Sequence, residues 1–428
     1  VFHLGWFLSY QVQSWRGQFS GAGMTEWVKP DLYVDVANSL ERAGFDYLMF
    51  EDGMFVPDSY GSSPDYYLRN AAMAPKHDPL TLIPAIAQRT KNIGFIATVT
   101  TTFYPPYLAA RMMTSLDHIT EGRVGLNLVT SHNVRTAQNF GLKEQIQHAD
   151  RYAMANEWID VVSQLWDSWE PDALVLDADG GQYADASKVH TIDHEGRFFS
   201  SRGPLNTIPG PQRRPVVCQA GGSPDGRDFG ARHADTIVAQ VRTPEQMKEY
   251  REDISRRALE HGRKPSDIKI LFITSFVVSD SDRHAQELVD AMDADEAANI
   301  EGNLLAMSYS TGLDFSKFDL DGPVPDITTN NAKATTKMML EGEPGATLRD
   351  IARRPPAALR FHGTPDSIAA QMEECMSVAG GDGFLVSGEV NRRHVAEVAD
   401  GIAPALRKRG LIRSGYDGPT FRDNLLAY

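Results

Sequence analysis

Residues 216–229, VVCQAGGSPDGRDF, have the types and spacing to hold an anion. An apolar run breaks at Gly221-Gly222-Ser223, and Pro224 then opens what reads as a helix. Glycines let the backbone approach an anion closely. The N–H groups of a helix N-terminus, aided by the macrodipole and a serine hydroxyl, bind phosphate without a metal. Taken alone, the same residues also describe an ordinary strand-to-helix turn.

A cradle of this kind serves a site only if other strands end beside it. Short apolar runs recur at 2–8, 46–50, 93–99, 124–129, 215–219, 236–240, 268–276 and 384–386, with helical patterns between them. Runs that are apolar on both faces and separated by helices imply parallel strands covered on both sides, and eight of them predict an α/β fold, a closed (β/α)8 TIM barrel with insertions. The helices carry their own punctuation. Residues 31–43 place Leu32, Val36, Leu40 and Ala43 on one face, with Gly44 as the cap. Asp78-Pro79 and Thr364-Pro365 read as an N-cap followed by a first-turn proline. Residues 150–169 carry Trp158, Val161, Val162, Leu165 and Trp169 at helical spacing, a stripe expected in the core. Two segments break the alternation: 174–206, with scattered Tyr183, Val189, Ile192 and Phe198, and 291–358, which contains the polar run 327–336. Both read as insertions in a single domain spanning 1–428. The second is expected to be an active-site lid, with a surface excursion or an oligomer contact as the alternatives.

The 428 residues, 42% hydrophobic and 23% charged, suffice for a large core. A formal net charge of −15 with no basic patch argues against nucleic acid or an anionic membrane as partner. Two cysteines, Cys218 and Cys375, cannot build a disulfide framework or a four-ligand zinc site, which fits a reducing cytoplasm. Neither a charged-then-apolar leader nor an apolar run near 18 residues is present, so secretion and membrane spanning are not expected. The chain opens at Val1 without a methionine, and we expect an N-terminal stub before it.

In a barrel of this type, function sits where strands end. Those positions hold Glu51-Asp52-Gly53, Thr98 to Thr102, the FYPPY run from Phe103 to Tyr107, then Asn127, Thr130, Ser131 and His132, and finally the glycine cradle. A glycosidase needs two opposed carboxylates, and Glu51 and Asp52 are adjacent. His118, His132, His148, His190 and His194 show no HxH or HExxH spacing, so no metal site is expected. A nucleophile elbow is absent, since Asp225 stands two residues after Ser223 where the elbow has glycine. Such a set suits a cofactor that brings its own chemistry.

Many blocks in one order carry a resemblance. They are Trp15-Arg16, SLERAGFDYLMFEDG, DSYG, FYPPYLAARMMTSLDHITEGRVGLNLVTS, AQNFG, HADRYAMANEW, LWDSWEPDALVLD, KVHTIDHEGRFFSSRGPLN and QAGGSPDGRDF. With them the chain resembles the bacterial-luciferase-like, FMN-dependent monooxygenases, in the branch of nitrilotriacetate, dimethylsulfide and dibenzothiophene sulfone monooxygenases; a riboflavin lyase belongs to the wider group. The resemblance implies a barrel that binds reduced FMN (FMNH2) and uses O2 as co-substrate to oxidise an organic molecule. It implies Asp52 and Thr98 beside the isoalloxazine, with Asn127 a further candidate there, His148 and Tyr152 at the ribityl chain or phosphate, and Gly222 and Ser223 at the phosphate. From the residues alone, His148 and Tyr152 read first as an i,i+4 surface contact, and Thr98 as an ordinary strand residue and Asp52 and Ser223 as caps are the alternatives. No residue is assigned to direct catalysis.

The resemblance further implies a two-component system, with a separate NAD(P)H:FMN reductase as the FMNH2 source, and a homodimer or homotetramer. No GxGxxG fingerprint lies between a strand and a helix, which fits reduction elsewhere. Relatives often place histidines around the Trp-Arg pair, where this chain has Gln11, Gln13 and Gly17. Ser310 stands where the sulfone-cleaving relative has histidine. These departures leave the substrate open. The expected reaction is oxidative cleavage of a C–S, C–N or C–halogen bond in a small heteroaromatic molecule, such as a dibenzothiophene sulfone-like compound or riboflavin. Tyr10, Trp15, Phe55, Tyr60, Phe103 and Tyr104 would suit a flat ring or would simply pack the barrel mouth. A flavin-binding protein without oxygenase activity and a deazaflavin-dependent dehydrogenase on the same fold are the alternatives.

Overall fold

The eight apolar runs all form strands: β1 (His3–Ser9), β2 (Tyr47–Glu51), β3 (Gly94–Thr100), β4 (Val124–Val129), β5 (Val216–Gln219), β6 (Thr236–Ala239), β7 (Lys269–Val278) and β8 (Gly383–Ser387). They come from a computed structural model that describes residues 1–12, 23–323, 345–354 and 358–428. Trp15, Arg16, Gln13, Gly17 and the run 327–336 lie outside the described residues. Each strand pairs in parallel with its neighbour, and β8 returns to β1, so the sheet closes as a (β/α)8 barrel.

Apolar residues run without alternation because both strand faces are buried. In β2, Tyr47 and Met49 join the barrel interior with Ile96, Val216, Cys218, Val238, Leu271 and Leu385, while Leu48 and Phe50 pack outward under the helices. A short strand, Leu359–Gly363, pairs with the second half of β7 outside the ring. Its sequence, LRFHG, is brief and interrupted by Arg360 and His362, so it carries no continuous apolar run.

Helix punctuation matches the expected caps. Pro30–Ala43 ends at Gly44 with φ of 89°, a conformation glycine adopts without strain. The Asp78 side chain accepts from Leu80 N–H ahead of Pro79–Ala87, and Thr364 accepts from Ser367 N–H ahead of Pro365–Ala379. The aromatic helix is His148–Trp166, two residues earlier than its apolar stripe indicated. Trp158, Val161, Val162 and Leu165 are buried in it, and Trp169 lies beyond its end.

Segment 174–206 carries two antiparallel ribbons, Leu174–Asp177 with Gln182–Ala184 and His194–Glu195 with Ser200–Ser201. Between β7 and β8, helices Ile300–Thr311 and Leu348–Ala352 build a small core of their own with Tyr60 and Tyr67 from the loop after β2. At the opposite end, the terminal helix Phe421–Leu425 plugs the barrel. A Cβ at Gly94, the first residue of β3, would fall 2.5 Å from the Phe421 ring. Cys218 and Cys375 are free, buried thiols. Among the described residues, no helix is long and apolar enough to cross a membrane.

Candidate active site

Strands β2 to β5 end on one cavity of about 350 Å³, within the size range of small-molecule sites. Asp52, Thr98, Asn127, His148, Tyr152, Gly222 and Ser223 all line it, although they come from five separate stretches of chain. The turn after β4 passes through Ser131 at φ 43°, an uncommon conformation for a residue with a Cβ, and the segment from Asn127 to Asn133 forms one wall.

At the cradle, Ser223 is the N-cap of helix Pro224–His233, its Oγ accepting from Gly226 N–H at 3.1 Å. The capping alternative is therefore realised, and it leaves the hydroxyl hydrogen to donate elsewhere. Close backbone approach is built in. A Cβ at Gly226 would come 2.7 Å from the Tyr152 hydroxyl and 2.9 Å from the Gly221 Cα. The loop is pinned from behind. Gln219 Oε1 accepts from Gly221 N–H at 2.6 Å, Tyr250 donates to Gly221 O at 3.3 Å, and Arg227 Nε donates to Gly222 O at 3.2 Å. Arg227 in turn lies 4.5 Å over the Tyr250 ring and pairs with Asp253 at 3.1 Å.

His148 opens its helix beside the cradle, with Nδ1 held 3.1 Å from the Asp225 carboxylate and its ring 5.1 Å from that of Tyr152. The side chain is 13% exposed, so the His148–Tyr152 contact belongs to the cavity wall and not to a solvated helix face. Burial raises the Tyr152 phenol, and its hydrogen bonds to Ser223 and Thr130 only partly offset this, which keeps it a neutral donor.

Deeper in the barrel, Thr98 and Asn127 form a relay. The Thr98 hydroxyl donates to Phe50 O at 2.8 Å, and Asn127 Nδ2 donates to Thr98 Oγ1 at 3.1 Å. Asn127 Oδ1 is left buried with no hydrogen-bond partner among the described residues. His132 Nε2 is likewise buried without one. Burial, then the charge of Arg151, pushes the His132 imidazole down to about 4, so it is neutral at pH 7.

Charge gathers at the mouth. Glu51 accepts from Ser9 Oγ at 2.8 Å and pairs with the buried Lys76 ammonium. Asp52 accepts from Gly53 N–H at 2.8 Å, and burial, then the Glu51 charge, pushes its carboxyl up to about 6. Tyr309, on helix Ile300–Thr311, stacks on Phe55 with ring centroids 5.6 Å apart and lines the same cavity. Its neighbour Ser310 is half-buried and not part of the lining.

Of the aromatics expected around a flat ring, Phe55 and Tyr104 reach the cavity. Tyr10 packs with Trp27, Tyr33 and His77, Tyr60 with Tyr66, and Phe103 with Phe140; Trp15 lies outside the described residues. Arg151, Gln219, Lys76 and Tyr309 were not singled out from sequence. Gln219, a polar residue ending an apolar strand beside the glycines, carried the one readable signal.

A parallel barrel that gathers neutral hydrogen-bonding groups, a glycine cradle and a helix N-terminus at its C-terminal mouth is a frame for an organic cofactor. Residues 2–383 match the family model described as luciferase-like monooxygenase, and the chain belongs to that family. It is 35% identical over 405 residues to the dimethyl-sulfide monooxygenase of Hyphomicrobium sulfonivorans, covering 92% of this chain and 83% of that protein. Nitrilotriacetate monooxygenase component A of Aminobacter aminovorans is 33% identical over 405 residues, covering 92% and 89%. The solved structure of a riboflavin lyase with modified FMN and riboflavin superposes with a TM-score of 0.90 at 31% identity, covering 100% of this chain and 96% of that one. The protein is thus a luciferase-like, flavin-dependent monooxygenase, a class that uses reduced flavin and O2.

Proposed function

We propose that the cavity binds reduced FMN, delivered by a separate NAD(P)H:FMN reductase, and that the enzyme oxidises a small, flat heteroaromatic molecule at a C–S, C–N or C–halogen bond. The observation that carries this reading is the convergence of Asp52, Thr98, Asn127, His148, Tyr152, Gly222 and Ser223 on one cavity, with hydroxyl donors at the cradle end and an orphaned amide oxygen deeper in the barrel. The donor set fits FMN. Ser223, Tyr152 and His148 would hold the phosphate end, and the Gly221–Gly226 contact, too close for a Cβ, brings the backbone up to it. Thr98, Asn127 and Asp52 would face the ring. When bound, the reduced flavin supplies the electrons that activate O2.

The protein's own part is positioning and exclusion of water. Phe55, Tyr104 and Tyr309 wall the mouth, and the helix carrying Tyr309 belongs to the insertion we assign as the lid. We further assign the enzyme to the cytoplasm as a homo-oligomer, on the strength of the family relation. The test is substrate turnover of heteroaromatic sulfones, chlorinated aromatics, aminopolycarboxylates and riboflavin, with FMNH2 and O2 supplied separately and together. Oxidation only with both is expected, and turnover without flavin refutes the reading.

A further inference from the structure

We infer that Glu51 and Tyr309 form the edge of the cavity that reads the substrate, and that the substrate is an uncharged, flat heteroaromatic carrying a ring N–H next to a carbonyl. The inference rests on the FMN reading above and adds to it the substrate class taken at the mouth.

Gly53 marks the place. Its φ lies outside the left-handed region, and a Cβ built on it would make only ordinary contacts, 3.4 Å from Tyr309 Oη and 3.8 Å from both Glu51 Oε1 and Lys76 Nζ. Neither a positive φ nor packing against protein calls for glycine here, which leaves close approach of a ligand as its use. The space a side chain would take opens on three polar atoms from three separate stretches of chain.

Two of those atoms are unused. Both hydrogen bonds of Glu51, from Ser9 Oγ and from the Lys76 ammonium, fall on Oε2, so Oε1 is left without one. Tyr309 Oη has none among the described residues, and burial, then the charges of Glu51 and Asp52, keeps the phenol protonated. Neither oxygen is sealed from solvent, and both residues line the cavity. The phenol is also held in place. Its ring lies parallel to that of Phe55 with centroids 5.6 Å apart, and its helix packs into the small core of the insertion. An acceptor and a donor thus stand around one point, the complement of an N–H next to a C=O.

Charge narrows the class. A group at this point lies as close to the Lys76 ammonium as to the Glu51 carboxylate, so a full charge of either sign meets a like charge. Of the other basic side chains in the lining, His148 and Arg151 belong to the helix at the cradle end, and His132 is neutral. A polycarboxylate therefore finds no spare cation at the mouth among the described residues. A sulfone brings two acceptors and no donor, and sets an oxygen against Glu51 Oε1. A lactam edge satisfies both atoms at once.

The experiment is calorimetric binding, to the protein saturated with FMN, of phenanthridin-6(5H)-one, a tricyclic lactam with no ribityl chain to compete for the cradle. Its N-methyl derivative, dibenzothiophene sulfone and phenanthrene-9-carboxylate are the comparisons. The lactam should bind about ten-fold or more tightly than each of them. Tyr309→Phe keeps the stack on Phe55 and should weaken the lactam about three- to ten-fold. Gly53→Ala should keep the parent's Tm, since its Cβ meets only ordinary contacts, and still weaken the lactam about ten-fold or more by filling the space its edge needs. A merely structural role for these residues predicts unchanged lactam affinity in both variants. That result, equal binding of the lactam and its N-methyl derivative, tighter binding of the sulfone or the carboxylate, or no binding of the lactam to the FMN-saturated protein overturns the inference. Should Gly53→Ala lower Tm, Tyr309→Phe decides. Failure of the wild-type protein to take up FMN would instead refute the FMN reading itself.

Discussion

Asp52→Asn isolates the cost of holding a carboxylate at the cavity mouth. Burial, then the charge of Glu51, raises the Asp52 carboxyl from 3.8 to about 6. In the unfolded chain it ionises near its ordinary value, so between the two pKa values the unfolded state has released a proton that the folded state keeps. Folding stability therefore falls as pH rises through that window, and above about 6 the folded protein carries a constant penalty. Two units of pH at ~1.4 kcal/mol each make about 3 kcal/mol. Asparagine keeps an oxygen for the Gly53 N–H, held at 2.8 Å in the parent, and carries no charge. The variant should match the parent at pH 4 and exceed it by up to about 3 kcal/mol at pH 7.5. With unfolding entropy near 0.9 kcal/mol/K for a chain of this length, the gain is roughly 3 °C in Tm. Thermal unfolding followed by circular dichroism at pH 4, 5, 6 and 7.5 reads it directly. A Tm difference of the same size at every pH refutes the reasoning, because a change of shape alone has no cause to follow the titration of Asp52.

Three further outcomes bear on the cradle and the frame. Ser223→Ala should weaken FMN about ten- to one-hundred-fold and leave riboflavin nearly unchanged, since a charge-assisted hydrogen bond is worth about 1.5 to 3 kcal/mol; equal weakening of both by fluorescence titration would show that Ser223 does not read the phosphate. Gly226→Ala sets a methyl group 2.7 Å from the Tyr152 hydroxyl and should cost FMN affinity ten-fold or more by displacing that donor, whereas wild-type affinity would mean that Tyr152 is not part of the phosphate end. Phe421→Ala empties the plug at the far end of the barrel and should cost about 3 to 5 kcal/mol with flavin affinity retained; a loss of affinity without a fall in Tm would contradict the separation of the two ends.

What could be read from the sequence divides along physical lines. Barrel strands were legible because burial on both faces leaves a continuous apolar run, as in Tyr47–Glu51, and such runs are rare in any other setting. Leu359–Gly363 escaped because it hangs on the outside of β7, where Arg360 and His362 reach other partners and no second face demands apolar residues. Helix starts were legible wherever a side chain serves its own backbone, as at Asp78 and Thr364. The helix at His148 begins on Gln147, which makes no side-chain cap, so its first turn had no local mark.

The same division runs through the site. Gly221, Gly222 and Ser223 would act through backbone shape and one hydroxyl, both written into neighbouring residues, and they are legible in the sequence as a possible cradle. Asp52 and Thr98 were legible as strand-end positions, whereas His148 and Tyr152 could be named only through the resemblance, because they come from a helix far along the chain from those strands. Lys76 and Arg151 were invisible even so. Lys76 matters because it faces Glu51, twenty-five residues away, and Arg151 because its charge adds to the burial that keeps His132 neutral. An isolated charged residue in a sequence says nothing of the buried charge opposite it. For Asn127 the type alone was readable; its hydrogen bond to Thr98 on β3, and that hydroxyl's own bond to the Phe50 carbonyl on β2, follow from strand register and span 3.1 Å and 2.8 Å. The cradle could thus be inferred locally, whereas the electrostatic setting of the inner cavity exists only once the barrel has closed.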